Sequence, residues 1–322
     1  MKSSSSHGKS RLLLGVDGGG SKTAAMVATL DDSGQMTIRG RGHAGPSNLR
    51  LAGKKQSIAS LNQAVDEALS EANAAGQEVD YAVLALAGST SPDVRREVTN
   101  WARMRKLSSR IGVIHDVDPV LVGGTENGRG VALVVGTGSV AIGVDSAGNS
   151  VTKGGWGHWF GDKGSGFDIA CKALAAVAEA ADDIGPETIL SELVMEKLGT
   201  ANPRSILKEV TANGDTRREV AALAPLILNA ARCDDSVAID IVDGAVEETV
   251  KLVAAVVKTL DFTSPYPLAL GGGVACRSKL FRDKLIRGLN RLQPPPGKVT
   301  VVDEPVLGCL EIARAKLSGS VG

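Results

Sequence analysis

The stretch GVDGGGSKT, residues 15–23, decides the fold because it sets three consecutive glycines between two short apolar runs. The first run covers residues 11–16, and the second covers residues 24–30 and ends in the turn sequence DDSG. Short apolar runs that are separated by turns rich in Gly and Asp are typical of neighbouring strands. The stretch is therefore predicted to form the turn of a strand hairpin.

The same pattern returns about 120 residues later in the chain. Residues 131–135 are apolar and lead into the turn GTGS, residues 136–139, and the apolar residues 140–144 end in DSAG. Two copies of one glycine-turn hairpin predict two similar domains that face each other across a cleft. A third glycine cluster, Gly271–Gly273, follows a further short apolar run.

The regions between the glycine turns alternate between strand and helix patterns. Apolar residues at 58, 61, 65 and 69 are three or four positions apart, which predicts a helix over residues 54–75. Further apolar runs predict strands at residues 81–86, 110–114, 268–270 and 299–302, and a helical stripe covers residues 239–260. This alternation predicts an α/β fold.

Three glycine turns that each follow a predicted strand indicate phosphate binding. Glycine has no Cβ, so the backbone N–H groups of such a turn can approach a phosphate closely. Ser21, Lys22 and Thr137 add hydroxyl and ammonium donors. The residues predicted to bind a nucleotide from these turns are Gly18, Gly19, Gly20, Ser21, Lys22, Gly136, Thr137, Gly138, Gly271, Gly272 and Gly273.

Two other nucleotide-binding motifs nearly match and are excluded. A P-loop requires a glycine at the position where this chain has Ser21. Residues 136–141 fit the dinucleotide-binding pattern, but that pattern must open a helix. Here the apolar run 140–144 continues as a strand, so neither motif accounts for the glycine turns.

The composition excludes several classes of protein. The 322 residues include 36 Lys and Arg and 36 Asp and Glu, so the formal net charge is zero, and neither nucleic acid nor a membrane surface is an expected partner. No apolar run is long enough to span a membrane, and residues 1–10 are predicted to be a flexible polar tail rather than a signal peptide. Four scattered cysteines indicate a cytoplasmic protein without disulfides or zinc.

The glycine motifs resemble those of a known superfamily. Residues 15–23 resemble the first phosphate motif of the actin and hexokinase superfamily, residues 136–139 its second phosphate motif, and residues 270–274 its adenosine motif. The segments GPSN, residues 45–48, and GGWGHWFGDKGSG, residues 154–166, are similar to the BadF/BadG/BcrA/BcrD ATPase family and, within it, to N-acetylglucosamine kinases. The resemblance spans nearly the whole chain.

This resemblance implies two ribonuclease-H-like domains of the actin-like ATPase type, which close over ATP and a sugar. The N-terminal domain would cover residues 11–118 and include a C-terminal helix, residues 307–322. The C-terminal domain would cover residues 119–306. The implied partner is a small-molecule sugar, and a homodimer is expected from the resemblance alone.

Phosphoryl transfer requires a metal ion, donors that hold the triphosphate and a base near the accepting hydroxyl group. Asp17 lies at a strand end beside the first glycine turn and is predicted to order Mg²⁺ through water. Asp116 follows the predicted strand 110–114 and is the predicted base, because an aspartate in this place has that role in the similar kinases. Asp118 competes for that role, but it precedes Pro119 and is predicted to cap the next helix.

The resemblance also implies how the ligands are held. The positions that match sugar-binding residues are Asn48, Gly155, Trp156 and Asp162. Ala231 is predicted to contact the nucleotide. Two alternatives stay open at this stage, namely that Asn48 only forms a turn and that Trp156 belongs to an ordinary core.

One position departs from the family pattern. Lys163 stands where the similar proteins have the glutamate of Gly-Asp-Glu-Gly-Ser. The charge beside Asp162 is therefore reversed. This reversal either retunes the carboxylate and favours an acidic sugar, or it is a surface change without effect.

The predicted function is an ATP-dependent kinase that converts N-acetylglucosamine to N-acetylglucosamine 6-phosphate. Glucosamine and N-acetylmuramic acid are alternative acceptors. An ATPase that activates a dehydratase or reductase is a different hypothesis, but it requires cysteines in an iron–sulfur setting that the four scattered cysteines do not provide. A sensor that only binds ATP and sugar is the last alternative, and the chain keeps Asp17, Asp116 and Thr137, which catalysis needs.

Overall fold

The computed structural model describes residues 10–49, 53–89, 91–212 and 214–319. The predicted flexible tail, residues 1–10, lies outside the described residues except for Ser10. The described chain divides into two compact units. Unit 1 runs to Gly123 and resumes at Glu304, and unit 2 comprises Gly124–Asp303.

Unit 1 is built on a sheet of five strands. Its strands are β1 (Arg11–Gly18), β2 (Thr23–Leu30), β3 (Met36–Ala44), β4 (Tyr81–Leu86) and β5 (Ile111–His115). Their order in the sheet is β3-β2-β1-β4-β5. β2 is antiparallel to both β1 and β3, and β4 and β5 run parallel to β1. The parallel strands therefore end at one edge of the sheet, where the first glycine turn also lies.

Helices cover this sheet because its central strands are apolar on both faces. The first helices of the chain are α1 (Gly53–Glu71), α2 (Pro92–Met104) and α3 (Asp118–Gly124). Leu14 and Val16 of β1 pack in one hydrophobic cluster with residues of α1 and α2, whereas Leu13 belongs to a second cluster. Successive residues of a strand point to opposite faces, so β1 contributes to two cores at once.

Two glycines of β3 bring this strand against helix α1. Gly40 and Gly42 lie so close to α1 that an added Cβ at Gly42 would overlap the carbonyl oxygen of Ala64. We expect Gly42→Ala to lower the free energy of unfolding by about 1–3 kcal/mol, because backbone on both sides resists the added methyl group. Gly244→Ala is the control, because an added Cβ there meets nothing within 4 Å. Denaturant unfolding should show destabilisation only for the first variant, and equal stability of the two would contradict this packing.

Unit 2 repeats the sheet topology of unit 1. Its strands are β6 (Gly130–Val135), β7 (Ser139–Val144), β8 (Ser150–Gly154), β9 (Tyr266–Gly271) and β10 (Pro296–Val301). They follow the order β8-β7-β6-β9-β10, with β6, β7 and β8 antiparallel and β9 and β10 parallel to β6. Each unit thus has an antiparallel hairpin with a glycine turn beside two parallel strands. The two similar units confirm the predicted α/β fold.

The helices of unit 2 supply most of its core. They are α4 (Gly166–Ala181), α5 (Leu190–Leu198), α6 (Ile206–Thr211), α7 (Thr216–Ala221), α8 (Ala224–Arg232), α9 (Ser236–Thr259), α10 (Gly273–Arg277) and α11 (Lys279–Leu289). Short 3-10 helices occur at Glu126–Gly128 and Pro203–Ser205. The apolar stripe predicted over residues 239–260 lies on α9, which buries Val242, Val246 and Val253.

The chain returns to unit 1 in the C-terminal helix α12 (Pro305–Leu317). Leu310 and Ala313 are fully buried in the second cluster of unit 1, with Leu13. The ion pair between Arg41 and Glu304 (2.7 Å) joins the start of this segment to β3. Within the described ranges, no helix is both long and apolar enough to cross a lipid bilayer.

Candidate active site

Two aspartates lie at the carboxyl edge of the parallel strands of unit 1. Asp17 is the penultimate residue of β1, and Asp116 directly follows β5. The strand register pairs Gly18 with Leu86 and Leu86 with His115, so the ends of β1, β4 and β5 are level. Residues that are far apart in sequence are thereby brought to one edge of the sheet, where the fold commonly carries ligand sites.

Asp17 is the most strongly perturbed carboxyl group of this edge. Burial, together with the negative charge of Asp116, raises the pKa of Asp17 from 3.8 to about 7, although Lys22 acts in the opposite direction. Burial and the neighbouring carboxylate both disfavour the ionised form of Asp17. A bound cation is stabilised at such a carboxylate, because its positive charge compensates for the lost hydration and for the repulsion between the two carboxylates. The two carboxylates therefore fit a hard divalent metal ion that takes oxygen ligands.

Asp116 forms an ion pair with the preceding residue. The Nδ1–H group of His115 donates to Oδ1 of Asp116 at 3.0 Å. Burial of the imidazole opposes its protonation, but the hydrogen bond and charge of Asp116 and the charge of Asp118 outweigh it and raise the pKa of His115. The imidazole thus orients one carboxylate oxygen and leaves the other available.

Asp118 has a different role from the one expected of a helix cap. Its Oδ2 accepts a hydrogen bond from the backbone N–H of His115 at 3.0 Å, upstream of helix α3, which begins at Asp118 itself. The carboxylate therefore closes the turn that carries Asp116. Burial raises the pKa of Asp118 despite this hydrogen bond.

The first glycine turn connects β1 and β2 and is held by a backbone hydrogen bond and by packing against Ser47. The N–H of Gly19 donates to the carbonyl oxygen of Lys22 at 2.9 Å. A Cβ at Gly18 would overlap the hydroxyl group of Ser47, whereas a Cβ at Gly19 would meet nothing closer than 3.8 Å. Close packing therefore requires a glycine at position 18, whereas the tip of the turn has free space around it. Ser21 and Lys22 are exposed at this tip.

The second and third glycine turns lie together in unit 2. Gly272 has a φ of +86° and sits so close to the end of β6 that an added Cβ would lie 2.5 Å from the carbonyl carbon of Val135. The N–H of Gly166 donates to the carbonyl oxygen of Gly136 at 2.8 Å, which ties the start of α4 to the same turn. A Cβ at Gly273 would meet nothing within 4 Å. The two turns therefore form one glycine-lined surface that fits the close approach of a nucleotide.

Asp162 is buried beside the second glycine turn and is bonded by protein groups on both oxygens. Its Oδ1 accepts from the N–H of Ser139 at 3.2 Å, and its Oδ2 accepts from Nη2 of Arg217 at 2.7 Å. Only 4% of its side chain is exposed, and its φ is +56°, which non-glycine residues rarely adopt. Sequence reasoning did not single out Arg217, because an arginine on a short helix outside any recognised motif carries no signal.

The segment between β8 and α4 carries exposed aromatic side chains. Trp156, Trp159 and Phe160 are 77%, 82% and 88% exposed, so the alternative that Trp156 belongs to an ordinary core is wrong. The ring of His158 lies 4.9 Å from that of Trp159. Burial and the positive charge of Arg217 lower the pKa of His158. Exposed aromatic faces next to Asp162 are suited to pack against the apolar face of a sugar.

Lys163 points toward a carboxylate other than Asp162. Its Nζ lies 3.6 Å from Oδ1 of Asp168, whose Oδ2 also accepts from Lys172 at 2.8 Å and from the N–H of Gly164 at 2.9 Å. The side chain of Lys163 is largely exposed. The positive charge that Lys163 introduces therefore lies next to Asp168, a carboxylate that already orders the start of α4.

The remaining predicted residues divide between the two units. Asn48 is buried in unit 1, and Gly155 lies in unit 2, where its N–H donates to the carbonyl oxygen of Ser139 at 3.0 Å. Ala231 is buried in the hydrophobic core of unit 2 on α8. Over the described part of the chain, no group of three or more His, Cys, Asp or Glu side chains is arranged to hold a metal ion. Thr137 is partly buried at the second glycine turn.

The sequence model of one family, the BadF/BadG/BcrA/BcrD ATPases, matches residues 14–292. The chain belongs to the BadF/BadG/BcrA/BcrD ATPase family. The match spans both glycine hairpins and the third glycine turn. The use of ATP follows from this membership.

Individual relatives match this chain over nearly their full length. An N-acetylmuramic acid/N-acetylglucosamine kinase of Clostridium acetobutylicum is 28% identical over 307 residues, which is 95% of this chain and 99% of the relative. An N-acetyl-D-glucosamine kinase of Dictyostelium discoideum is 26% identical over 94% of this chain and 97% of the relative. The solved structure of a candidate N-acetylglucosamine kinase from Chromobacterium violaceum has a TM-score of 0.75 at 24% identity and covers 94% of this chain and 99% of that one. The likeness to this structure shows the fold.

Proposed function

We propose that the chain is an ATP-dependent amino-sugar kinase that transfers the γ-phosphoryl group of ATP to the 6-hydroxyl group of N-acetylglucosamine. Two relatives that match at least 94% of this chain are named as kinases of N-acetylated sugars. The observation that carries the proposal is the pair of carboxylates, Asp17 and Asp116, at the carboxyl edge of β1 and β5. Asp17 would support a metal ion and Asp116 would act as the base, which are two of the three requirements of phosphoryl transfer.

Asp116 is the proposed general base. Its carboxylate accepts the proton of the sugar hydroxyl group as the hydroxyl oxygen bonds to the γ-phosphorus, and ADP leaves. The ion pair with His115 holds one oxygen at 3.0 Å, so the other can face the acceptor in a fixed orientation.

Asp17 is the proposed metal-supporting residue. Bound Mg²⁺ would neutralise the charge of the triphosphate. The raised pKa of Asp17 supports this assignment, because its cause is burial next to a second carboxylate. With Asp17 as its supporting carboxylate, the ion would keep several of its water molecules, as Mg²⁺ does in phosphate-binding sites.

The glycine turns are the proposed nucleotide-binding elements. Backbone N–H groups of Gly20 and Gly138 would bind phosphate oxygens, whereas those of Gly19 and Gly136 close the two turns by donating to the carbonyl oxygens of Lys22 and Gly138. Ser21, Lys22 and Thr137 are the proposed side-chain donors. Gly271–Gly273 would accommodate the adenosine. Asn48, Gly155, Trp156 and Asp162 remain the residues proposed to bind the sugar, and Ala231 remains a proposed nucleotide contact. A cytoplasmic location and a homodimer remain predictions.

N-acetylmuramic acid is the second candidate acceptor. The relative with 28% identity is named for both N-acetylmuramic acid and N-acetylglucosamine. Lys163, which replaces a glutamate of the family pattern, adds a largely exposed positive charge to the segment that follows the aromatic side chains. A cation in this place would attract the lactyl carboxylate of N-acetylmuramic acid.

The release of ADP across a panel of sugars tests the proposal. The protein is assayed with MgATP and N-acetylglucosamine, N-acetylmuramic acid, glucosamine, N-acetylmannosamine or glucose. We expect release well above the sugar-free rate with N-acetylglucosamine, and NMR of the product should locate the phosphate on O6. Turnover with N-acetylmuramic acid alone would move the assignment to the second candidate. ATP binding without turnover of any sugar would contradict the kinase assignment.

A further inference from the structure

Arg217 connects a helix that sequence reasoning did not associate with the site to the second glycine turn. It is the second residue of α7, and its Nη2 donates to Oδ2 of Asp162 at 2.7 Å. Through its Oδ1, Asp162 accepts from the N–H of Ser139, the first residue of β7. A Cβ at Gly138 would lie 2.9 Å from both Nη2 of Arg217 and Oδ1 of Asp162. The guanidinium, the carboxylate and the glycine turn are therefore packed together without intervening groups.

The burial of this pair indicates a role beyond stability. The side chains of Arg217 and Asp162 are 15% and 4% exposed, and Nε of Arg217 is buried without a hydrogen-bond partner among the described residues. A buried donor that stays unpaired costs stability, and a buried ion pair contributes little net stability. The pair is thus poorly explained as a stabiliser of the fold.

Electrostatics supplies an explanation. An ionised carboxylate at the tip of a glycine turn would repel any phosphate that approaches the same turn, and the repulsion would be strong where water is excluded. The guanidinium of Arg217 cancels this charge at 2.7 Å. Burial and the charge of Arg217 lower the pKa of His158, which also interacts with Asp162, so its imidazole is a poor substitute for the guanidinium charge.

We propose that Arg217 is a positioning residue for the nucleotide phosphates: it neutralises Asp162 and fixes the carboxylate that orients the turn Gly136–Ser139. This inference rests on the proposed function, since it assumes that the turn binds ATP. Arg217 acts through Asp162 and need not touch the nucleotide. Its removal is expected to weaken nucleotide binding more than it changes the chemical step.

The test measures the dissociation constant of the Mg²⁺ complex of a non-hydrolysable ATP analogue by calorimetry, without sugar. We expect Arg217→Met to weaken binding about 10- to 100-fold, and Arg217→Lys, which keeps the charge, to weaken it by less than about 5-fold. Arg218→Met is the matched control, because Arg218 lies next on α7 and pairs with Asp215 and Glu219 at the surface. Arg217→Gln is a second neutral variant, in case the methionine variant does not fold.

A double-mutant cycle separates charge neutralisation from packing. In the background of Asp162→Asn no carboxylate remains to be neutralised, so adding Arg217→Met should cost less than about 3-fold in affinity. An equal cost in both backgrounds, or wild-type affinity of the folded Arg217→Met variant, would overturn the proposal. Wild-type protein that binds the analogue but phosphorylates no sugar refutes the proposed function alone, whereas wild-type protein that binds no nucleotide refutes both.

Discussion

Replacing Asp116 by asparagine is expected to lower kcat for sugar phosphorylation by about 10³-fold while leaving sugar affinity within about 3-fold of wild type. Asparagine has the size of aspartate, and its Oδ1 can still accept the hydrogen bond from Nδ1 of His115. It cannot accept the proton of the sugar hydroxyl group at neutral pH. Steady-state kinetics gives kcat, and calorimetry with N-acetylglucosamine gives the affinity.

The control for this variant is Asp118→Asn. Asp118 lies two residues further on, and its Oδ2 accepts from the N–H of His115 at 3.0 Å, a hydrogen bond that an asparagine oxygen can also accept. We expect kcat of this variant to stay within about 5-fold of wild type. A loss for Asp118→Asn as large as the one predicted for Asp116→Asn, or near-normal turnover of the latter, would remove Asp116 as the base.

Much of the fold could be predicted because its central strands are short, apolar and bounded by turns. The predicted strand 81–86 coincides with β4, and the apolar run 24–30 lies within β2. The repeated glycine hairpin correctly indicated two similar α/β units, whose sheets have the same strand order. The local sequence was sufficient to predict these strands, because a strand that is buried on both faces requires a continuous run of apolar residues.

Other elements have no such local signal. β3 has the sequence MTIRGRGHA, in which two arginines and two glycines break every apolar run. Its glycines are explained only by the helix that packs against them, a contact between residues that are more than twenty positions apart. The edge strand β8, with the sequence SVTKG, was not predicted for the same reason. Edge strands need not be apolar, because neighbouring residues do not cover them fully.

The candidate site could be predicted in its parts but not in its electrostatics. Asp17 was identified from its place at a strand end beside the first glycine turn, and Asp116 from its place after a predicted strand together with the resemblance to the similar kinases. That Asp116 raises the pKa of Asp17 depends on β1, β4 and β5 being parallel neighbours, which sequence spacing alone does not determine. Likewise, Asp162 was identified from its motif, whereas its partner Arg217 is 55 residues away and on a short helix.

Replacing Asp17 by asparagine is expected to abolish most of the activity and yet to stabilise the protein. We expect MgATP-dependent turnover to fall at least about 10²-fold, because the amide carries no charge to support the metal ion. The pKa of Asp17 in the folded protein is about 7, above its ordinary value of 3.8, because the group is buried beside Asp116. The folded protein therefore retains a proton that the unfolded chain releases between about pH 4 and pH 7.

The sign of the stability effect follows from this difference. As the pH rises from about 4 to about 7, the wild-type protein loses up to about 4 kcal/mol of stability through this carboxyl group, and above pH 7 the loss is complete. Asparagine does not titrate, so Asp17→Asn should unfold at higher denaturant concentration than wild type at pH 8 without Mg²⁺, and at nearly the same concentration near pH 4. The fluorescence of Trp101, which is buried in unit 1, reports this unfolding.

Asp31→Asn provides a control of opposite sign in the same unit. Hydrogen bonds from Ser33 and Gln35 lower the pKa of Asp31, so its ionised form stabilises the turn after β2. This variant should be less stable than wild type at pH 8, and the difference should shrink as the pH falls toward the lowered pKa. If Asp17→Asn were also less stable than wild type at pH 8 without Mg²⁺, Asp17 would be a stabilising residue of the fold. Its burial beside Asp116 would then stabilise the fold and not oppose it.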